Sequence, residues 1–271
     1  MGIVNVTPDS FSDGGKYLDT AAAIRHGEQL AAQGADIVDV GGESTRPGAE
    51  RVDAETEANR VVPVVRALVK AGITVSVDTM RASTAQAALS AGAHIINDVS
   101  GGLADPEMAT VVSAHDCSWV LMHWRGHSAT MQSATSYRDV TREVIAHLGE
   151  RIDAVRSAGV RDEQIIVDPG LGFAKTAQHN WVLLAELDEF AQLGFPLLIG
   201  ASRKSFLAAL GTDRTVRPAP ERDAASLAVS LYCARRDVWA VRVHDVAGTV
   251  DAFAVMSNID AAGRLSPQLP G

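Results

Sequence analysis

The chain has 271 residues, 46% of them hydrophobic and 21% charged, values that suit one globular domain of the size at which α/β barrels run, about 250 residues. A formal net charge of −9 argues against a nucleic-acid partner but not against an anionic small substrate, because a cleft can concentrate cations against the overall balance. No run approaches the roughly 20 apolar residues that cross a membrane and no charged leader with an apolar stretch opens the chain. Cys117 and Cys233 sit in no metal-ligating spacing, so neither a disulfide framework nor a zinc site is expected and the cytoplasm is the default compartment.

The first apolar run, Gly2–Val6, leads into a polar, glycine-bearing loop, Thr7–Gly15. A helical stretch follows with Ile24, Gly27 and Ala31 on one face, then a second run, Asp36–Val40, and a second polar loop, Gly41–Gly48. Val61, Val65, Leu68 and Val69 share a face of the next helix, which Pro63 is expected to interrupt and bend. Beyond the run Ile73–Val77, Ser83 and Gln86 have capping-box spacing. After His94–Asn97, Asp105-Pro106 offers an N-cap followed by proline at the first helical position. Trp119–Met122, Ile165–Val167 and Leu197–Ile199 come next, then Val216–Pro220 as the expected mobile loop, and Ala240–Val243 as the eighth run. Gly34, Gly72, Gly92, Gly159 and Gly194 each lie shortly before an apolar run, where helix-ending glycines belong. In the last helix Val250, Phe253, Ala254 and Met256 suit either a dimer face or barrel packing.

Eight nearly continuous, β-branched runs separated by amphipathic stretches read as parallel strands covered by helices. They predict an α/β fold, a single (β/α)8 barrel over residues 1–271, with no interdomain linker. An open doubly wound sheet would want GxGxxG after the first strand, and Asn5-Val6-Thr7-Pro8 is unlike it.

Barrel enzymes carry their chemistry at the carboxyl ends of the strands. Here those ends read Asn5, Asp39, Asp78, Asn97-Asp98, His123, Asp168, Ser202-Arg203-Lys204 and Arg242-Val243-His244. Taken singly, each suits a helix cap or a satisfied core group. Taken together, eight polar strand ends would be costly without a ligand, since an unpaired buried polar group loses about 1–3 kcal/mol. Asp78, Asn97, Asp168 and Lys204 offer the donors and acceptors that read a flat heterocycle such as a pterin or purine. Lys204, Arg242 and His244 put cations beside strands seven and eight, where many barrels hold phosphate. Arg203 suits either that group or a surface salt bridge, and Arg46 offers a guanidinium fork to a phosphate.

Six blocks, Asn5 to Gly15, Gly41 to Gly48, Asn97 to Val99, Asp168 to Phe173, Ser202 to Lys204 and Arg242 to Asp245, together resemble the dihydropteroate synthases, in order from Met1 to about residue 260. The resemblance implies condensation of 6-hydroxymethyl-7,8-dihydropterin diphosphate with p-aminobenzoate, releasing pyrophosphate and 7,8-dihydropteroate. It implies that Asp78, Asn97, Met122, Asp168 and Lys204 hold the pterin, with Asp78, Lys204, Arg242 and His244 as the catalytic set. Asn5, Thr45, Arg46, Arg242 and His244 would hold the diphosphate, with Mg2+ reached through Asn5. Phe11, Pro47, Phe173 and Ser205 would frame the p-aminobenzoate pocket, which sulfonamide inhibitors would also occupy. A homodimer is implied as well. A methyltetrahydrofolate-binding methyltransferase and a catalytically silent pterin-binding paralogue are the competing readings. The first has no use for cations converging on a diphosphate, and turnover decides the second.

Overall fold

A computed structural model describes residues 1–6, 16–43, 52–126, 135–210 and 215–265. Strands and helices alternate: β1 (Gly2–Asn5), α1 (Lys16–Ala32), β2 (Val38–Gly41), α2 (Ala54–Lys70), β3 (Val75–Asp78), α3 (Ala82–Ser90), β4 (Ile95–Asp98) and α4 (Met108–Ser113). The second half continues with β5 (Ser118–Met122), α5 (Val140–Ser157), β6 (Ile165–Asp168), α6 (Ala177–Ala185), β7 (Leu198–Ile199), α7 (Asp223–Ala234), β8 (Ala240–Val241) and α8 (Val246–Leu265). All strand pairs are parallel, β1 to β6 in sequence order and β7 with β8. Single bridges close the ring: Val167 pairs with Leu197 between β6 and β7, and Gly2 pairs with Val243 beyond β8. Ile3 N–H donates to Val243 O (3.1 Å) and Val243 N–H to Met1 O (2.9 Å) across that seam. The expected eightfold barrel is the observed one, with β7 and β8 only two residues long.

Strand parity sorts side chains into two cores. Val4, Val38, Val40, Val75, Val77, Ile96, Leu121 and Val167 face outward onto the helices and join the main cluster. Met1, Ile37, Ile95, Val120, Ile166 and Leu198 form a second, smaller cluster that fills the barrel floor, with Ala240 against it. Above that floor the residues of the same parity turn polar.

Helix ends follow local chemistry more closely than the capping patterns alone foretell. Gly34 and Gly92, at φ +98° and +103°, sit just beyond the ends of α1 and α3, as expected of glycines there. Gly27 lets α1 and α2 approach, since a Cβ there would lie 2.7 Å from Leu68 Cδ1. Pro63 does not interrupt α2, which runs through it from an Asp53 cap whose Oδ1 accepts from Thr56 N (2.7 Å). Ser83 is not a cap: α3 starts one residue earlier, and Ala82 N–H is taken by Asp105 Oδ2 (2.8 Å) from the next loop. Asp105 is not the N-cap of α4 nor Pro106 its first residue, because the helix begins at Met108 after Glu107; Asp105 accepts from Glu107 N (3.1 Å) in the turn that precedes it. Part of Val216–Pro220 is tied down, through Arg217 N–H to Ala208 O (2.9 Å) and a 3-10 turn at Ala219–Arg222.

Candidate active site

Register alone lines up the floor of a well. Asn5 pairs with Gly41, Gly41 with Asp78 and Asp78 with Asn97, so four neighbouring strands present these residues in one row on one side of the sheet. Met122 and Asp168 pair likewise on β5 and β6. Gly41 leaves a gap in the row: a Cβ there would sit 3.5 Å from Asp78 Cβ and 3.8 Å from Asn5 Oδ1. Gly200, just past β7, does the same between Lys204 Nζ and Arg242 Cβ, at 3.8 and 3.9 Å. Asp78, Asn97, Met122 and Asp168 are buried, while Asn5, Lys204, Arg242 and His244 are half-buried at the wall.

Arg242 organises the well. Its Nε donates to Asp39 Oδ2 (2.6 Å) and its Nη2 to Asp78 Oδ2 (2.9 Å), while Asn97 Nδ2 donates to the same Asp39 oxygen (3.1 Å). Two of the guanidinium's five N–H groups are thereby used, which keeps the fork oriented and leaves donors for a ligand. Burial, reinforced by the neighbouring Asp39 charge and opposed by Arg242, pushes the Asp78 carboxyl up to about 7. Asp168 is also raised by burial, against the pull of Lys204, and its Oδ1 accepts from Gly170 N (2.7 Å). Lys204 is lowered by burial to about 8, with Asp168 holding it up. Its Nζ donates to Leu171 O and lies 4.7 Å from the Phe173 ring centroid. His244 Nδ1 lies 2.9 Å from Ser202 Oγ, which also accepts from His244 N (3.2 Å). Ser205 is exposed and Phe173 half-exposed at the mouth of the well.

Arg203 leaves the group of candidate anion-binding cations. Its backbone is left-handed (φ 59°), and its guanidinium makes a two-pronged pair with Asp223, Nε–Oδ1 2.7 Å and Nη2–Oδ2 2.8 Å. That pair fastens the turn after β7 to α7. Phe11, Thr45, Arg46 and Pro47 lie outside the described residues. The flanks of the second loop are described and joined: Arg81 bridges Glu43 (2.7 Å) and Glu57 (2.6 Å) and reaches Val52 O, and Val52 N–H donates to Glu43 Oε2 (3.2 Å).

Sequence reasoning assigned no role to Asp39, which is fully buried yet anchors both Arg242 and Asn97. Its parity with Gly41 and the interior row is the signal that would have found it. It also assigned none to Lys175, a buried lysine within the loop after β6 whose Nζ lies 2.9 Å from His123 Nδ1. Among the described residues no three His, Cys, Asp or Glu side chains converge as a metal site. No described helix is long and apolar enough to cross a membrane.

Known proteins match this architecture closely. The model of a family described as pterin binding enzyme matches residues 1–244. The chain is 54% identical over 259 residues to a dihydropteroate synthase of Mycobacterium leprae, covering 94% of this chain and 91% of that protein. A Xanthomonas albilineans dihydropteroate synthase solved with 4-aminobenzoic acid superposes with a TM-score of 0.88 at 44% identity, over 96% of this chain and 92% of that one. The Yersinia pestis dihydropteroate synthase in complex with a sulfonamide drug gives a TM-score of 0.88 at 37% identity, covering 96% and 94%. By family match, sequence identity and fold, the chain belongs to the dihydropteroate synthases, within the pterin binding enzymes.

Proposed function

We propose that this chain condenses 6-hydroxymethyl-7,8-dihydropterin diphosphate with p-aminobenzoate, forming 7,8-dihydropteroate and pyrophosphate. The observation that carries the reading is the row Asn5, Gly41, Asp78, Asn97, with Asp168, Lys204 and Arg242 around the same well: hydrogen-bonding groups for a flat heterocycle beside cations for its leaving group. Asp78, Asn97, Met122, Asp168 and Lys204 hold the pterin. Asn5, Arg242 and His244 hold the diphosphate, joined by Thr45 and Arg46. Phe173 and Ser205, with Phe11 and Pro47, frame p-aminobenzoate, and sulfonamides compete there. The donor set fits a Mg2+ that arrives on the diphosphate, because Mg2+ keeps waters and phosphate oxygens and needs few protein ligands. Asn5 Oδ1 is the protein oxygen it would take. When bound, the ion supplies charge neutralisation to the departing pyrophosphate.

In this reading the residues do little proton transfer. The C–O bond at the pterin methylene breaks, and its electron pair leaves with pyrophosphate toward Arg242 and His244. The resulting methylene cation is stabilised by the dihydropterin ring and by the carboxylate of Asp78. The amine of p-aminobenzoate then forms the C–N bond and releases one proton to solvent. Positioning and exclusion of water are the enzyme's share.

The chain works as a single barrel domain, in the cytoplasm and as a homodimer. The exposed hydrophobic side chains Val250, Val255 and Ile259 of α8 support the dimer. The decisive test is purified protein with both substrates and Mg2+, following pyrophosphate. Release above a boiled control, crippled in folded Lys204→Met and Arg242→Ala, is expected; no release sinks the reading. Light scattering that finds only a 28.5 kDa species removes the dimer.

A further inference from the structure

The β6 loop, residues 169–176, is fastened at several backbone polar groups. Gly170 N donates to Asp168, Gly172 N to Asn180 Oδ1 (2.7 Å), and Tyr137 Oη donates to Ala174 O (3.1 Å). Ala174 is held in the left-handed region at φ 48°, a costly state for a side-chain-bearing residue that persists only where its surroundings over-determine it. At the centre is Lys175, only 4% exposed, whose ammonium has three donors and three partners: Gly170 O (3.1 Å), Phe173 O (3.0 Å) and His123 Nδ1 (2.9 Å). While the amine is charged, His123 Nδ1 accepts and the ring proton is on Nε2, facing His147 Nδ1 at 3.2 Å. The His147 ring stacks on His123, 5° from parallel.

Burying an amine is expensive, and desolvation drives the Lys175 pKa well below its ordinary value. What the amine secures is specific. Its two carbonyl partners bracket the turn Gly170–Phe173, and that turn aims the Phe173 ring at Lys204. A lysine spent on two carbonyls and a histidine has no hydrogen-bonding position left for a ligand, so it acts through the wall it holds.

We propose that Lys175, with its acceptor His123, is the positioning residue that sets the Phe173 wall and thereby the affinity for the aryl amine, far more than that for pterin diphosphate. This rests on the assignment of Phe173 to p-aminobenzoate made above. The experiment is steady-state kinetics of the full chain with Lys175→Met, His123→Leu and His123→Asn, varying each substrate separately. Asparagine puts its Oδ1 near the place of Nδ1, so it keeps the acceptor that leucine removes. Lys175→Met and His123→Leu are expected to raise KM for p-aminobenzoate about tenfold, the loss of one well-placed contact, with KM for pterin diphosphate within about twofold of wild type. His123→Asn is expected to restore most of the p-aminobenzoate KM. An unchanged p-aminobenzoate KM in the lysine variant, or kcat and both KM values changing together in all three, overturns the proposal. Should Lys175→Met fail to fold, the contrast between the two His123 variants decides alone: equal p-aminobenzoate KM values overturn it. A wild-type chain with no turnover fails the proposed function instead, and tritiated p-aminobenzoate binding in the presence of pterin and pyrophosphate then reads the same contrast.

Discussion

Removing the Asp39 carboxylate tests whether the well depends on a fully buried residue. In Asp39→Ala, Arg242 loses its 2.6 Å bond and Asn97 its 3.1 Å bond, both to one fully buried oxygen. A hydrogen bond to a charged group contributes about 1.5–3 kcal/mol net. Arg242 keeps Asp78 as a second anchor and its side chain is 21% exposed, so the lower end of that range applies, with solvent screening part of the loss. About 2 kcal/mol of lost orientation corresponds to roughly a 30-fold fall in kcat/KM for pterin diphosphate. A second effect is independent of orientation. The Asp39 charge helps to raise the Asp78 pKa, so its removal moves the acid limb of kcat/KM downward from about 7. The assay is pyrophosphate release across pH 5–9 in wild type and variant, with circular dichroism to establish that both are folded. A folded Asp39→Ala with native kcat/KM and an unmoved acid limb refutes the reasoning on both counts.

The basic limb of the same profile belongs to Lys204, whose ammonium is lost above about 8; Lys204→Arg, which stays charged, is expected to remove that limb even at reduced activity, and a persisting limb reassigns it. Gly172→Ala combines a left-handed φ of +80° with a Cβ only 2.8 Å from Lys204 Cδ. It is expected to cost about 1–2 kcal/mol in denaturant unfolding and to lower kcat/KM beyond that loss, and a variant of native stability and activity contradicts the close approach. If C–O cleavage precedes attack, single-turnover rates at saturation for anilines of differing basicity are nearly flat, whereas a steep rise with amine pKa favours direct displacement.

The architecture was legible because buried parallel strands leave a coarse mark. Runs such as Trp119–Met122 and Ile165–Val167 need only apolar, β-branched residues in sequence, and their polar ends follow from the barrel rule. The placement of Asp78, Asn97 and Asp168 was readable for the same reason, since strand-end position fixes both depth and facing. What sequence spacing does not carry is which donor meets which acceptor across the ring. Ser83 has no capping role because α3 starts at Ala82, and Ala85 N–H, a donor Ser83 would cap, is already bonded to Arg81 O. Arg203 turned away because Asp223 offered a complete carboxylate at two-pronged distance. Asp39, Lys175 and His123 act through partners as far apart as 203 positions in the chain, and no local pattern encodes such pairing. Pro63 was misjudged from propensity: packing of Val61, Val64, Val65 and Leu68 into the core holds α2 together across it.

The apolar plug beneath the well has a consequence for traffic. Met1, Ile37, Ile95, Val120, Ile166 and Leu198 seal one end of the barrel, so everything enters and leaves by the other. A molecule resting on Asp78, Asn97 and Asp168 lies beneath one resting on half-exposed Phe173 and exposed Ser205. Occupancy is then a stack, filled from the bottom and emptied from the top. If the aryl amine takes the Phe173 and Ser205 position proposed for it, its arrival ahead of the pterin corks the opening, and high p-aminobenzoate concentrations are expected to inhibit in a way that excess pterin diphosphate relieves.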